Sequence, residues 1–366
     1  MYTKGIAVVA ITRRGMETAI KIKETLEAAG LSSIVYGPKK YGQYGVVPLE
    51  KTIGEFFKDS YSSVDAVVGV MAAGIVIRAV APLLESKLTD PAVVDVDVEG
   101  KFVISLLSGH YGGANELARI IAHGIGGTAV ITTASDVTGK QSVDELARIL
   151  HLQILNPRSL VPVNSAIVNG DRLVVVLIGN TQIPLDKVGC YEVKSANTVR
   201  EALEEVNSFD AGVLVTSQAI PNDVWPIDEA AKPFTILKTK RVLVGLGARK
   251  DSSAESILEA VDLALRQANV TLTNVKKFAT VDIKRDSPAM IKAAEQLGKP
   301  LVFFSVAALR NVIGMGLSPD SKLVQEKIGV GGVCERAAIL AAGKKAELIL
   351  KKNKYNGVTV AIATGE

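Results

Sequence analysis

His110 is one of three histidines in 366 residues, and it stands in Leu106–Ala118 (LLSGHYGGANELA) between Ser108-Gly109 and Gly112-Gly113. An imidazole titrates near neutral pH, so a histidine with no other duty can serve as a general acid or base. Backbone N–H groups at the start of the helix that follows attract a carboxylate, a phosphate or a developing oxyanion, here around Gly112–Ala114. Ser108 adds a hydroxyl nucleophile, although no G-x-S-x-G elbow surrounds it and ending a strand explains it as well. Asn115 and Glu116 fall in the first helical turn, where capping and the helix dipole account for both. Asn115 is also suited to orienting a substrate carbonyl, and Glu116 and Asp136 are the alternative bases. His123 and His151 sit at helix ends, where a positive charge is favoured.

Arg78 is the only charge between Asp65 and Glu85, in a helix that is apolar almost all round. That pattern predicts a buried guanidinium, which needs an anion. The anion is either an internal aspartate such as Asp95 or Asp136, or a substrate carboxylate held in the arginine fork. Gly245-Leu246-Gly247 follows a strand, but Lys250 replaces the third glycine of G-x-G-x-x-G. No acidic residue ends a second strand about twenty residues on, so a dinucleotide is not expected. Arg249 beside these glycines suits an anion, Lys284 ends a strand, and Glu335 opens a helix, where dipole stabilisation is its default role. No Walker A motif and no metal-type cysteine or histidine spacing occurs.

Elements that position these groups can be read from periodicity. Strand-like runs at Gly5–Ile11, Ser33–Tyr36 and Asp65–Val70 alternate with helices near Glu17–Ala29 and Gly74–Leu84. Pro91–Val98 and Lys101–Leu107 read as a hairpin about Glu99-Gly100, followed by a helix over Gly113–His123 and a strand over Thr128–Thr133. The alternation predicts an α/β fold with a mostly parallel sheet. Its site is then expected beyond the carboxyl ends of the strands, where turns Met71–Gly74, Ser108–Gly113 and Thr132–Asp136 would meet. The polar stretch Ser135–Ser142 is the expected boundary, with Ser142 and Glu145 forming a capping box for a helix to Leu150. In the middle segment, Asn169-Gly170 signals a hairpin, and a helix over Asn197–Val206 is capped by Asn197. A basic join, Leu237–Lys240, leads to a last α/β unit with helices at Ala254–Gln267, Pro288–Leu297 and Cys334–Ala342. The expected domains are 1–137, 138–238 and 239–366, two mostly parallel α/β sandwiches flanking a smaller α/β unit.

Net charge is +4 and aromatics are 5% of residues, with basic side chains scattered, so no nucleic-acid face is expected. A mildly basic chain suits an acidic small molecule. No run of eighteen apolar residues and no cleavable leader pattern appears, and the two cysteines lie far apart. A cytoplasmic protein is the expectation.

Three segments, taken in order, resemble the N-terminal part of the CbiG family: MAAGIVIRAVAPLL (Met71–Leu84), DPAVVDVDVEGKFVISLLSGHYGGANELA (Asp90–Ala118) and VITTASD (Val130–Asp136). The resemblance resumes with VGLGARKDSS (Val244–Ser253), FATVDIKRD (Phe278–Asp286), PLVFFSVAAL (Pro300–Leu309) and IGVGGVCERAAILAAG (Ile328–Gly343). That family comprises the cobalt-precorrin-5A hydrolases of anaerobic cobalamin biosynthesis. The resemblance implies opening of a δ-lactone on a corrinoid and release of acetaldehyde. Chemistry would fall to His110, Ser108 and Glu116. Substrate contacts would come from Gly74, Arg78, Gly109, Gly112, Gly113, Asn115, Thr133 and Asp136, and from Gly245, Gly247, Arg249, Lys284 and Glu335. Two positions depart from the family: Ala248 where cysteine is common, and Ser287 where K-x-D-E would place an acid. Chemistry is therefore expected in the N-terminal domain and binding in the C-terminal one. No cofactor or protein-bound metal is expected, since cobalt travels with the substrate. The expected partner is the corrinoid itself, without nucleic acid or membrane, with a homodimer and transient contact with other corrin-pathway enzymes as further expectations. The competing class is a carrier that binds a corrinoid without reacting it.

Overall fold

The computed structural model describes residues 2–365 apart from 138, 190, 221–231, 314–316, 320–324 and 326–328; Cys190 thus lies outside the described residues. The chain forms two compact units, Tyr2–Arg148 and Ile149–Glu366.

In the first unit, the middle of the central sheet is made of valine-rich runs buried on both sides, as helix-covered parallel strands require, and less buried strands flank them, seven in all. These are β1 (Ile6–Ala10), β2 (Ser33–Gly37), β3 (Val47–Pro48), β4 (Ala66–Val70), β5 (Ala92–Val96), β6 (Phe102–Leu107) and β7 (Thr128–Val130), in the order β3-β2-β1-β4-β5-β6-β7. Helices α1 (Arg13–Ala28) and α4 (Ala114–Ile125) bury Met16, Ile22, Leu117 and Ile121 against one face. On the other face, α2 (Ile53–Ser60) and α3 (Ala73–Val80) bury Phe57, Val76 and Val80. Two short helices, α5 (Ala134–Val137) and α6 (Val143–Ile149), close the unit.

Strands β1 to β5 run parallel, but β6 pairs antiparallel with β5, and β7 follows β6. Reversal at the Glu99-Gly100 turn therefore sends the carboxyl ends of β4 and β6 to opposite edges of the sheet. The expected meeting of three turns fails: Ser108–Gly113 and Thr132–Asp136 come together, and Met71–Gly74 lies at the far edge. The division between units also falls later than 137/138, because α6 belongs to the first unit up to Arg148.

The second unit holds two sheets. The first contains β8 (Leu152–Ile154), β9 (Leu173–Ile178), β10 (Glu192–Ala196), β11 (Ala211–Thr216) and β12 (Phe234–Thr239), with only β8 antiparallel. The second contains β13 (Arg241–Ala248), β14 (Val275–Val281), β15 (Leu301–Phe304), β16 (Glu347–Tyr355) and β17 (Val358–Gly365), with β17 reversed. Lys240 alone separates β12 from β13, so the expected join is mostly strand. Asn169-Gly170 is no hairpin: it ends α7 (Leu160–Asn169), and Gly170 caps it at φ +87°. Helix α8 (Val199–Asn207) is capped by Thr198 in place of Asn197. The remaining helices are α9 (Ala254–Gln267), α10 (Pro288–Gln296), α11 (Val306–Arg310) and α12 (Val333–Ala342).

Candidate functional site

Strand β6 ends at Leu107, the φ of +55° at Ser108 then turns the chain sharply, and Gly113 at φ +86° caps the start of α4. Because β7 runs alongside β6 in the same direction, the turn after it delivers Thr133 and Asp136 to the same edge. His110 Nε2 lies 2.8 Å from Asp136 Oδ2, and Nδ1 lies 3.4 Å from Asp144 Oδ2 at the start of α6. Asn115 donates to Thr133 Oγ1 at 2.7 Å and to Asp136 Oδ2 at 2.6 Å, while Arg119 pairs with Asp136 Oδ1. The side chains of His110, Asp136 and Asp144 are only 12%, 9% and 7% exposed.

Burial pulls the His110 pKa down, but Asp144 and Asp136 outweigh it and leave the ring above its ordinary value. For Asp136, burial pushes up while Arg119 and His110 bring the carboxyl below the usual range. Both imidazole nitrogens thus face carboxylates, and the ring is suited to holding a proton and donating it. It is not the unoccupied base that the glycine turn suggests. Asp144 was invisible as a partner in the sequence; an acid two residues after the Ser142 cap reads as ordinary helix-dipole stabilisation.

Within Gly112–Ala114, where the donors for an oxyanion were expected, the turn itself takes up the N–H groups of Gly113 and Ala114. Gly113 N–H donates to His110 O, Ala114 N–H to Ser108 O and Asn115 N–H to Gly109 O. Gly109 and Gly112 have a packing reason: a Cβ would stand 2.7 Å from Asn115 Oδ1 or 2.5 Å from Ser108 Cβ. Ser108 Oγ is buried with no hydrogen-bond partner, so the strand-ending bond expected of it does not form. Glu116 is exposed and pairs with Arg148 at 3.2 Å.

At the opposite edge, Gly74 and Arg78 lie on α3. Arg78 is exposed, and its Nη1 donates to Gly74 O at 2.9 Å. Neither Asp95 nor Asp136 is its partner. The apolar pattern misled here because Ile75 and Ile77, 37% and 51% exposed, face outward with it. Asp95 is 2% exposed, and its Oδ1 has no hydrogen-bond partner. Burial, then Asp97, pushes its carboxyl up to about 7. The unfolded chain releases this proton near pH 4 while the folded chain keeps it to about 7, so stability falls across that window as pH rises. Asp95→Asn should remove that slope and be about 1–3 kcal/mol more stable than the parent at pH 8. Thermal melts from pH 4 to 9 check this; parallel curves for the two proteins would refute it.

In the second unit, Gly245 serves packing: a Cβ there would stand 1.8 Å from Cys334 O on α12. A Cβ at Gly247 would meet Thr359 Oγ1 at 2.4 Å. Glu335 is fully buried and accepts from Ser318 N (2.9 Å), Ser318 Oγ (2.6 Å) and Lys352 N (2.7 Å), which leaves it a structural tie with no oxygen turned to a ligand. Arg249 is exposed and Lys284 half-buried in the turn after β14. His123 is exposed in the last turn of α4. His151 departs from expectation: burial brings its pKa down to about 4, so it is neutral rather than a helix-end charge. Among the described residues no helix is long and apolar enough to cross a membrane.

The family model described as Cobalamin synthesis G N-terminal matches residues 55–136, and Cobalamin synthesis G C-terminus matches residues 242–363. A relative from Methanocaldococcus jannaschii, named "Probable cobalt-precorrin-5A hydrolase", is 30% identical over 98% of this chain and 98% of its own. The chain belongs to the CbiG family. A relative from Priestia megaterium, named "Cobalt-precorrin-5A hydrolase", is 29% identical over 98% of this chain and 94% of its own. The solved structure of a cobalamin biosynthesis protein G homologue from Sulfolobus solfataricus has the same fold, at TM-score 0.61 and 24% identity, covering 100% of this chain and 98% of that one. The N-terminal CbiG match takes in α3, the His110 turn and Asp136, and stops before Asp144.

Proposed function

We propose that this CbiG protein is a cobalt-precorrin-5A hydrolase, which opens the δ-lactone of its substrate with water and releases acetaldehyde to give cobalt-precorrin-5B. The observation that carries this reading is the alignment of 98% of its length with relatives named "Cobalt-precorrin-5A hydrolase". The His110 cluster supplies what the first step requires. The Asp144 contact is the longer of the two, so Nδ1 is the side at which a substrate oxygen can replace a carboxylate. As water adds to the lactone carbonyl, its proton goes to the displaced Asp144 carboxylate. The departing ring oxygen takes the proton held by His110, and Asp136 keeps the imidazole in place. The freed hydroxyl then gives its proton to the His110 ring, left neutral by the first step, as the adjoining carbon–carbon bond breaks. Acetaldehyde leaves, and the bond's electron pair enters the conjugated macrocycle. Cobalt belongs to the substrate, the protein brings no cofactor of its own, and the reaction takes place in the cytoplasm on a free corrinoid.

The test is anaerobic incubation with cobalt-precorrin-5A, with acetaldehyde measured by coupled reduction. Stoichiometric acetaldehyde is expected. A protein that perturbs the corrinoid spectrum on binding yet yields none is a carrier.

A further inference from the structure

We propose that the substrate's macrocycle seats on the open apolar face that β6 and β7 present beside α3, with Arg78 holding one of its peripheral carboxylates. The identity of the ligand rests on the hydrolase reading; the existence of the seat does not.

Side chains alternate along a strand. Val103 points into the core that α4 covers, so Phe102 and Ile104 point to the other face, the face of Asp95, which pairs with Ile104. Their neighbours on β7 are Thr128 and Val130. Phe102 is 52% exposed, Thr128 is exposed, and Ile104 and Val130 are half-buried. The same face of β4 and β5 lies under α3, where Gly69 lets Val76 approach closely. The outer half of α3 also carries open apolar side chains, Ile75 and Ile77 on its two flanks with Arg78 between them, and Leu84 beyond it is 49% exposed. Apolar side chains left open on adjacent strands, as Phe102, Ile104 and Val130 are, mark a place of interaction on a folded domain.

Charge selects the occupant. Arg78 is the only ionisable residue of α3, and among the described residues no carboxylate lies within ion-pair distance of it. One N–H is satisfied by Gly74 O and the rest of the fork is open. A flat apolar ring edged with carboxylates complements an apolar face carrying one unpaired guanidinium. Two strands are about 10 Å wide, the breadth of such a ring, and the six residues of β6 run about 20 Å toward the His110 turn. A ring of that breadth covers about half of β6, so one seated on Ile104 and Val130 turns an edge and its peripheral arms toward the proton-holding cluster. The whole seat falls within residues 55–136.

The experiment is calorimetric titration of the full chain with two stable cobalt corrins, one bearing free carboxylates and one with the same arms amidated. Arg78→Ala should weaken the carboxylate probe about tenfold or more and leave the amide probe within about twofold. Phe102→Glu should weaken both by about tenfold or more, with melting temperatures unchanged because both side chains are exposed. Unchanged affinity of either variant for the carboxylate probe overturns the proposal. It is also overturned if Phe102→Glu only dissociates a dimer in sedimentation, since the face then serves a second copy of the chain. Binding that depends on Arg78 and Phe102 in a parent protein that releases no acetaldehyde removes the hydrolase reading and leaves the seat standing.

Discussion

His110→Ala should release acetaldehyde about 10²–10⁴-fold more slowly than the parent, the loss expected for a positioned proton donor. The same change should lower the melting temperature, because Asp136 and Asp144, almost buried, would lose the cation between them. Breaking a buried charge pair costs about 3–5 kcal/mol, and here Arg119 and Asn115 still hold Asp136, so the lower end is expected. His110→Gln separates the two effects, since an amide bonds a carboxylate but carries no transferable proton. It should recover part of the stability and none of the turnover. The His110 pKa is raised on folding, so its stabilisation is complete below about pH 6.5 and fades as pH rises through the folded value. The Asp136 pKa is lowered, so its stabilisation is present above about pH 3.9 and fades as pH falls through the folded value. Loss of the upper limb in the variant's melting profile would confirm the source. If folded His110→Gln protein turns over at the parent rate, the histidine only clasps two turns together. His123→Ala, at an exposed helix end, is the control and should change neither quantity.

Gly245→Ala should be the most damaging single methyl group in the second unit. The added carbon would sit 1.8 Å from Cys334 O, 2.7 Å from Cys334 C and 3.0 Å from Ala338 N. These are backbone atoms of α12 and cannot rotate away, so the helix must lift from β13, β14 and β17, against all of which it packs. A loss of about 3 kcal/mol or more is expected, with failure to fold as the extreme. Gly247→Ala provides the contrast, because the atom it meets is a threonine hydroxyl that can swing aside; about 1 kcal/mol is expected. Equal stability of the two variants, measured by denaturant melts, would show that the approach of α12 to β13 is loose. Hydrogen exchange should place the damage of Gly245→Ala in residues beyond Ile149.

The contrast between these two sites explains how far the sequence can be read. Strands at 6–10, 66–70 and 102–107 announce themselves through short runs of mainly apolar residues, and α4 through its period and glycine flanks. The hairpin around Glu99-Gly100 was legible too, and it already implied that β6 returns antiparallel to β5. Local signals were sound there; what misled was carrying the parallel-sheet rule past the reversal. His110, Asn115, Thr133 and Asp136 could be grouped because they sit on adjacent turns. Asp144 could not, because its partner lies thirty-four positions away and nothing in its own neighbourhood demands one. Gly245 and Glu335 show the same blindness from the other side. A glycine beside basic residues reads as room for an anion, and an acid at a helix start reads as a dipole partner. Close approach of a helix to a strand, or three donors converging on a buried carboxylate, exists only in three dimensions.

The place of β1 in its sheet bears on how the protein can be cut. The family-defining segment begins at residue 55, inside α2, yet β1 is hydrogen-bonded on both sides, to β2 and to β4. Its side chains enter the cores on both faces, Val8 and Ala10 on one, Ala7 and Val9 on the other. A fragment starting at residue 55 would leave the edge of β4 that faces β1 unpaired along its length, an open template for association between chains. It would also strip α4 of the α1 surface against which Thr25 and Gly124 meet. Such a fragment should be recovered as aggregate, whereas one ending at Arg148 keeps every strand of its sheet. The stretch by which evolution labels this domain is thus shorter than the stretch that can fold.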